Sequence, residues 1–300
     1  MSDRLVRGLM PNQGLRALFV RVTETARIAR MLHGLYPTAA RLFAEAMAGG
    51  LLVASLLKER SRVNLQVECD GPIRGLFVDA DPDGNVRGYV RAPMVHFPGD
   101  PRAGARAALG GSGFLSVLRD LGGAQFYRGQ IELRHRELGR DLERYYLESE
   151  QVATAIDLAV LPAGDEPLGD VAGVLLQRLP DGDDAAVEAA RRRIAGGELE
   201  TMLARGAGAQ DVLAELGGEK LELLGDLEVA YRCGCSAERA RNAVSVLGLE
   251  GVEDVLAKER EAVITCEFCR QRYVVTEPEL RDMARRLAER DRAGREGSEV

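Results

Sequence analysis

In the stretch SRVNLQVECDG, Val63, Leu65, Val67 and Cys69 alternate with Asn64, Gln66 and Glu68. A two-residue period puts the first set on one face of an extended chain and the second on the other, the mark of a half-buried strand. Cys69 extends the apolar face and is assigned to the core. Downstream, GLFVDA and VRGYV flank the turn sequence DPDGN, which predicts a hairpin. GFLSVLRD and AQFYRGQIEL predict a further strand pair, and VATAIDLAVLP and AGVLLQRLP read as strands or short buried segments.

Helical spacing appears between these. LRALFVRVTETARIAR predicts a strand running into a helix, and GRDLERYYLESEQ reads as helical. The longest helical stretch is YPTAARLFAEAMAGGLLVASLLKER, with Pro37 suited to an early helical position. Gly49 and Gly50 inside it cost about 1 kcal/mol each relative to alanine. Close packing of another element explains them, and a kink is the alternative. Helix and strand signals interleave as far as Pro180, which predicts one α/β (α+β) N-terminal core domain over residues 1–180.

Composition then shifts. Residues 181–230 are rich in Ala, Glu, Arg and Gly, with short helical patterns such as DDAAVEAARRRIA and DVLAEL. Apolar positions are sparse and helices draw most of their stability from burial. The stretch reads as a metastable helical linker; an ordinary helical subdomain packed on the core is the alternative. A final small unit spans residues 231–287, followed by a charged tail, 288–300, expected to fray.

Charge and composition narrow the function. Hydrophobic residues make up 46% and charged ones 29%, the balance of a soluble globular chain. A formal net charge of -7 argues against a nucleic-acid binder, whose footprint is usually basic. The longest uncharged apolar run, Ala46 to Leu57, falls well short of the roughly 20 residues that span a bilayer. The opening MSDRLVRGLMPNQG lacks the apolar core of a signal peptide. These features predict a cytoplasmic protein without a membrane partner. In that compartment paired cysteines point to metal or redox chemistry.

Four of the five cysteines form two such pairs, Cys233 with Cys235 in YRCGCSAER and Cys266 with Cys269 in VITCEFCRQRY. Two sulfurs on one tight turn can reach one ion at about 2.3 Å, and a second pair closes the tetrahedron of a four-cysteine zinc site. Arg232, Arg239, Arg270 and Arg272 flank the pairs, either offsetting thiolate charge or simply solvated. Structural zinc contributes on the order of 10–16 kcal/mol in small fingers. Whole domains are stable by only about 5–15 kcal/mol, so loss of the metal should unfold this unit. Oxidation of a thiolate to a disulfide would remove its ligand sulfurs. Spacing by itself favours a purely structural site over a switch.

Other candidates carry less. His33, His96 and His135 are isolated and show no ligand spacing. GGSGF, Gly110 to Phe114, lacks the Lys-Ser/Thr of a phosphate-binding loop and reads as a turn before a strand. No nucleophile elbow or triad pattern occurs, so the sequence offers no basis for catalysis.

The chain resembles the heat shock protein 33 family, bacterial redox-regulated holdase chaperones. The resemblance is carried by YRCGCSAER, LGLEGVEDVL and VITCEFCRQRYVVTEPEL, and in the first half by DRLVRG, VNLQVECDGPIRGLFVDADPDGNVRGYVRAP, YYLESEQVATAIDLAV and AGVLLQRLP. It departs at Ala153, where relatives often carry proline, and at Ala172, where they carry glycine. The resemblance implies an α/β core, a helical linker and a C-terminal zinc domain. It implies one zinc held by Cys233, Cys235, Cys266 and Cys269 in an inactive reduced state. On oxidation it implies disulfides Cys233–Cys235 and Cys266–Cys269, zinc release, and ATP-independent binding of unfolding client proteins by a homodimer. It turns the reading from a structural site to a switch. Two other classes remain as alternatives. A thiol-disulfide oxidoreductase using Cys266 and Cys269 is opposed by the strand-like RYVV that follows. A zinc-ribbon module binding nucleic acid or ribosomes is opposed by the net charge.

Overall fold

Two antiparallel strands, β1 (Arg4–Met10) and β2 (Leu15–Arg21), lead into helices α1 (Thr23–His33) and α2 (Pro37–Ala54). The structure, a computed structural model, describes residues 2–58, 61–123 and 125–296. Glu59, Arg60 and Ala124, at the margins of two expected elements, lie outside the described residues. The chain divides into two units, Met1–Arg232 and Cys233–Val300.

The first unit continues with β3 (Arg62–Cys69), β4 (Gly75–Ala80), β5 (Asn85–Val90), α3 (Pro101–Leu109), β6 (Gly113–Asp120), β7 (Phe126–Glu132) and α4 (Leu138–Tyr145). Then come β8 (Thr154–Ala163), β9 (Glu166–Arg178), α5 (Asp184–Ala195), α6 (Glu198–Ala204), α7 (Ala209–Gly217), β10 (Glu222–Glu228) and β11 (Ala230–Tyr231). The strands form one sheet in the order β10-β1-β2-β9-β8 and another in the order β11-β5-β4-β3-β6-β7. Among the described residues these pairings are antiparallel except β11 on β5, an α+β arrangement.

Helix α2 is largely apolar because it is buried all round, from Thr38 to Ala54, against strands of both sheets, and its buried charges Arg41 and Glu45 pair with each other at 2.9 Å. Neighbours pack closely on its two glycines. A Cβ on Gly49 would stand 2.8 Å from Leu142 Cδ1, and one on Gly50 would stand 2.9 Å from Val78 Cγ1. The helix runs through them unbroken, so they serve packing and no kink forms.

The strands of the five-stranded sheet alternate as a two-sided layer should. Leu5, Leu18 and Val20 face the α2 core, whereas Val6, Ala17 and Phe19 belong to a second cluster on the far face. Helices α5, α6 and α7 cover that far face with Val187, Ala190, Leu199, Val212, Leu213 and Leu216, all fully buried. The few apolar positions of residues 181–217 are thus the ones that dock. The expected linker is not helical throughout, because ELLGDLE forms β10 on the edge of β1. An edge strand needs only one ladder partner and little apolar surface, which hid this one from periodicity.

The second unit holds α8 (Ala237–Ser245), α9 (Gly248–Lys258), the antiparallel pair β12 (Ala262–Thr265) and β13 (Arg272–Val275), and α10 (Glu277–Glu296). Its core cluster is small: Val244, Val252, Val275, Leu280 and Met283. Helix α10 runs on through most of the expected tail, and residues 297–300 lie outside the described residues. Ion pairs at helical spacing, Glu277 with Arg281 and Asp282 with Arg285 and Arg286, support a helix that has no large apolar residue after Leu287.

Candidate metal centre

Each cysteine pair is held by a local turn. Ser236 accepts the backbone N–H of Arg239 at 3.2 Å and caps α8, fixing the chain directly after Cys235. The hairpin of β12 and β13 puts Thr265 opposite Arg272, so Cys266 is the first residue of the turn. The Cys266 N–H donates to Gln271 O and the Arg270 N–H donates to Cys266 O, both at 2.9 Å. Arg270 takes a left-handed φ of 58° to close this turn. Backbone N–H groups of Phe268 and Cys269 then face the Cys266 sulfur.

The turns bring all four sulfurs within 4.8 Å of one another. Cys233 Sγ lies 3.7 Å from Cys266 Sγ, and Cys235 Sγ lies 3.3 Å from Cys269 Sγ. All four are free thiols. Sulfurs bound at about 2.3 Å to one tetrahedral zinc stand about 3.8 Å apart. The cluster therefore has the size and donor chemistry of a thiophilic metal site. Among the described residues no other group of His, Cys, Asp and Glu side chains converges in this way.

Burial, reinforced by the neighbouring sulfurs, pushes the Cys269 thiol up to about 12. Burial also raises Cys266, against the pull of its backbone donors. A divalent cation reverses this by supplying the opposite charge at close range. Arg239 reaches the site, its Nη1 lying 3.6 Å from where a Gly234 Cβ would be. Arg270 instead pairs with Glu267 at 3.0 Å, and Arg232 belongs to the first unit, where its N–H bonds to Val86 O.

One member of the site was not legible from spacing. The Tyr273 hydroxyl lies 3.0 Å from Cys235 Sγ, and that contact, with burial, pushes the phenol up to about 12. Tyr273 sits opposite Ile264 in the hairpin, a register that sequence alone does not supply.

The remaining sequence candidates are structural. Cys69 is half-buried against the core, and burial raises its thiol. His33 bonds to Tyr231, and His96 Nδ1 lies 3.3 Å from Thr38 Oγ1. The backbone donors of Gly111 and Ser112 in GGSGF are taken by the Asp70 carboxylate at 2.8 and 3.0 Å, so the turn is already filled by an anion of the chain itself.

An α+β core followed in sequence by a small unit with four converging thiols defines a protein of two units with a candidate metal site in the second. The family model described as "Hsp33 protein" matches residues 3–276. The chain is 32% identical to the 33 kDa chaperonin of Bacillus subtilis, with 93% of this chain and 97% of that one covered. It is 37% identical to the 33 kDa chaperonin of Gloeobacter violaceus, with 96% and 97% covered. The crystal structure of the 33 kDa chaperonin of Thermotoga maritima matches with a TM-score of 0.86 at 31% identity, over 96% of this chain and 100% of that one. The chain belongs to the Hsp33 family.

Proposed function

We propose that this protein is a chaperone that holds unfolding proteins without ATP and is switched by the oxidation state of Cys233, Cys235, Cys266 and Cys269. The observation that carries this reading is the convergence of the four thiols in a unit whose core cluster has only five buried apolar side chains. In the reduced state the four thiolates hold one zinc ion, and the ion holds the unit together. A core this small needs such a staple. Its free energy of binding, on the order of 10 kcal/mol, is comparable to the whole stability of a small domain.

Oxidation removes that support. Two thiolates and one peroxide, with two protons, give one disulfide and two waters, so two peroxides convert all four ligands. We assign the disulfides as Cys233–Cys235 and Cys266–Cys269. Partners two or three residues apart stay close as the fold loosens, whereas the cross-pair approaches depend on the fold itself. The bonds deprive the site of all four thiolates.

The second requirement is apolar surface to offer a client. Helices α5, α6 and α7 cover the far face of the five-stranded sheet, where Val6, Phe19, Val174 and Leu176 are buried. Their chain continues through β10 and β11 to Cys233, so the cover and the switch share one continuous segment. The active form is assigned as a homodimer in the cytoplasm.

The test compares zinc-loaded and peroxide-treated protein during the heat aggregation of an unfolding protein. Oxidised protein is expected to release one zinc per chain and suppress aggregation. Equal suppression by both forms would sink the switch.

A further inference from the structure

The segment Glu222–Tyr231 does something that neither the metal site nor the apolar face requires: it closes an edge of each sheet. β10 lies antiparallel on β1 with partners from Arg4–Glu228 to Leu9–Glu222, and β11 lies on β5. On their other sides β1 and β5 are already paired, with β2 and β4. Taking the segment away would leave a row of unpaired backbone donors and acceptors along β1, a template for another extended chain.

β10 is a lightly held occupant. Leu223 and Leu224 are 50% and 66% exposed. The ion pair of Asp226 with Arg4, at 2.7 Å, is exposed and contributes little. The register with β1 slips between Arg7 and Gly8. Leu227, Val229 and Tyr231, at the end nearest Cys233, are the side chains of the segment that pack on the core. What holds the length of β10 is the main-chain ladder, and every polypeptide carries the groups for that ladder. Gly8 adds room, since a Cβ there would stand 2.5 Å from Glu222 O and 2.6 Å from the Leu221 side chain.

We propose that the edge of β1 is a docking site for the extended main chain of an unfolded polypeptide, and that β10 is the placeholder that keeps it shut. Recognition is by strand addition, in which backbone hydrogen bonds give affinity without demanding a sequence. This rests on the chaperone reading, because the edge opens only when the segment running into Cys233 loses its anchor.

Amide exchange read by mass spectrometry on the full-length protein tests it. Reduced carboxymethylated lactalbumin serves as a permanently unfolded probe. Amides of residues 4–10 are expected to be protected in the zinc-loaded protein, to lose protection on oxidation, and to regain it when the probe binds. A peptide of residues 222–231 is expected to displace the probe, and the same peptide with proline at the positions of Leu224 and Leu227 to fail. Asp226→Lys, which sets a second cation beside Arg4, is expected to speed exchange in residues 4–10 with zinc still bound. If the probe co-elutes with oxidised protein while residues 4–10 stay unprotected, the edge is not the site, though the chaperone reading stands. Protection that needs no probe and grows with protein concentration would assign the edge to a second copy and overturn the proposal. If the probe binds neither form, both readings fall together.

Discussion

His33 Nε2 lies 3.1 Å from the hydroxyl of Tyr231, two residues before Cys233. The hydroxyl donates to Gly88 O at 3.0 Å, so the proton between hydroxyl and imidazole belongs to His33 Nε2. A residue at the threshold of the metal site is in this way pinned into the first unit. Tyr231→Phe keeps the ring and removes the pin, at a cost of about 1 kcal/mol. The amides of Ala230 and Arg232, which donate to Gly84 O and Val86 O at 3.0 Å, are expected to exchange several-fold faster in the zinc-loaded variant. Unchanged exchange would show that the ladder alone holds β11.

Tyr273→Phe addresses the metal site without touching a sulfur. The variant deletes the hydroxyl 3.0 Å from Cys235 Sγ. Loss of a partner of this kind typically weakens metal affinity about 10- to 100-fold. Competition with a chromophoric zinc chelator measures it; an affinity equal to the parent's would remove Tyr273 from the site.

Leu280→Ala tests how little apolar packing the second unit has in reserve. Leu280 is fully buried in a core cluster of five residues. Truncation of a buried leucine costs about 2–5 kcal/mol. Zinc-loaded protein is expected to lose its metal at a lower temperature, read by zinc release during heating. A release midpoint matching the parent's would mean the thiolate cluster alone sustains the unit.

Glu143 makes a pH prediction with a definite sign. Burial raises its carboxyl to about 7, against the Ile156 N–H and the Arg191 guanidinium at 3.7 Å. Burial likewise raises Asp157, to about 6. For a raised carboxyl the native state binds the extra proton. The stability this represents is complete below the unfolded value near 4.5 and is lost as pH climbs through about 7. Arg191, on α5, works against this slope because it favours the ionised carboxylate. Burial outweighs it, so the core that buries Glu143 is expected to be more stable at pH 5 than at pH 7.5. Glu143→Gln keeps an oxygen for the Ile156 N–H and is expected to flatten the thermal stability profile across that range. A profile as steep as the parent's would assign the slope to other groups.

Much of the core was legible because its elements answer to local rules. The alternation of Val63, Leu65 and Val67 marked out β3, and these three side chains are buried as that pattern requires. Gly49 and Gly50 announced close packing inside a helix, though not that Leu142 and Val78 would be the neighbours. The segment after Pro180 announced helices with little to bury. It could not show that those few side chains complete the far face of a sheet formed from both ends of the unit.

The donor chemistry is written in the chain alone. Two short-spaced cysteine pairs define a four-sulfur set, because a spacing of two or three residues fixes how sulfurs can share an ion. What that site is connected to depends on the packed fold. β10 on β1, β11 on β5 and the Tyr231–His33 bond pair residues far apart in sequence. Such pairings carry no periodic signal; they arise from edges left open by distant strands and filled by whichever segment the fold delivers there.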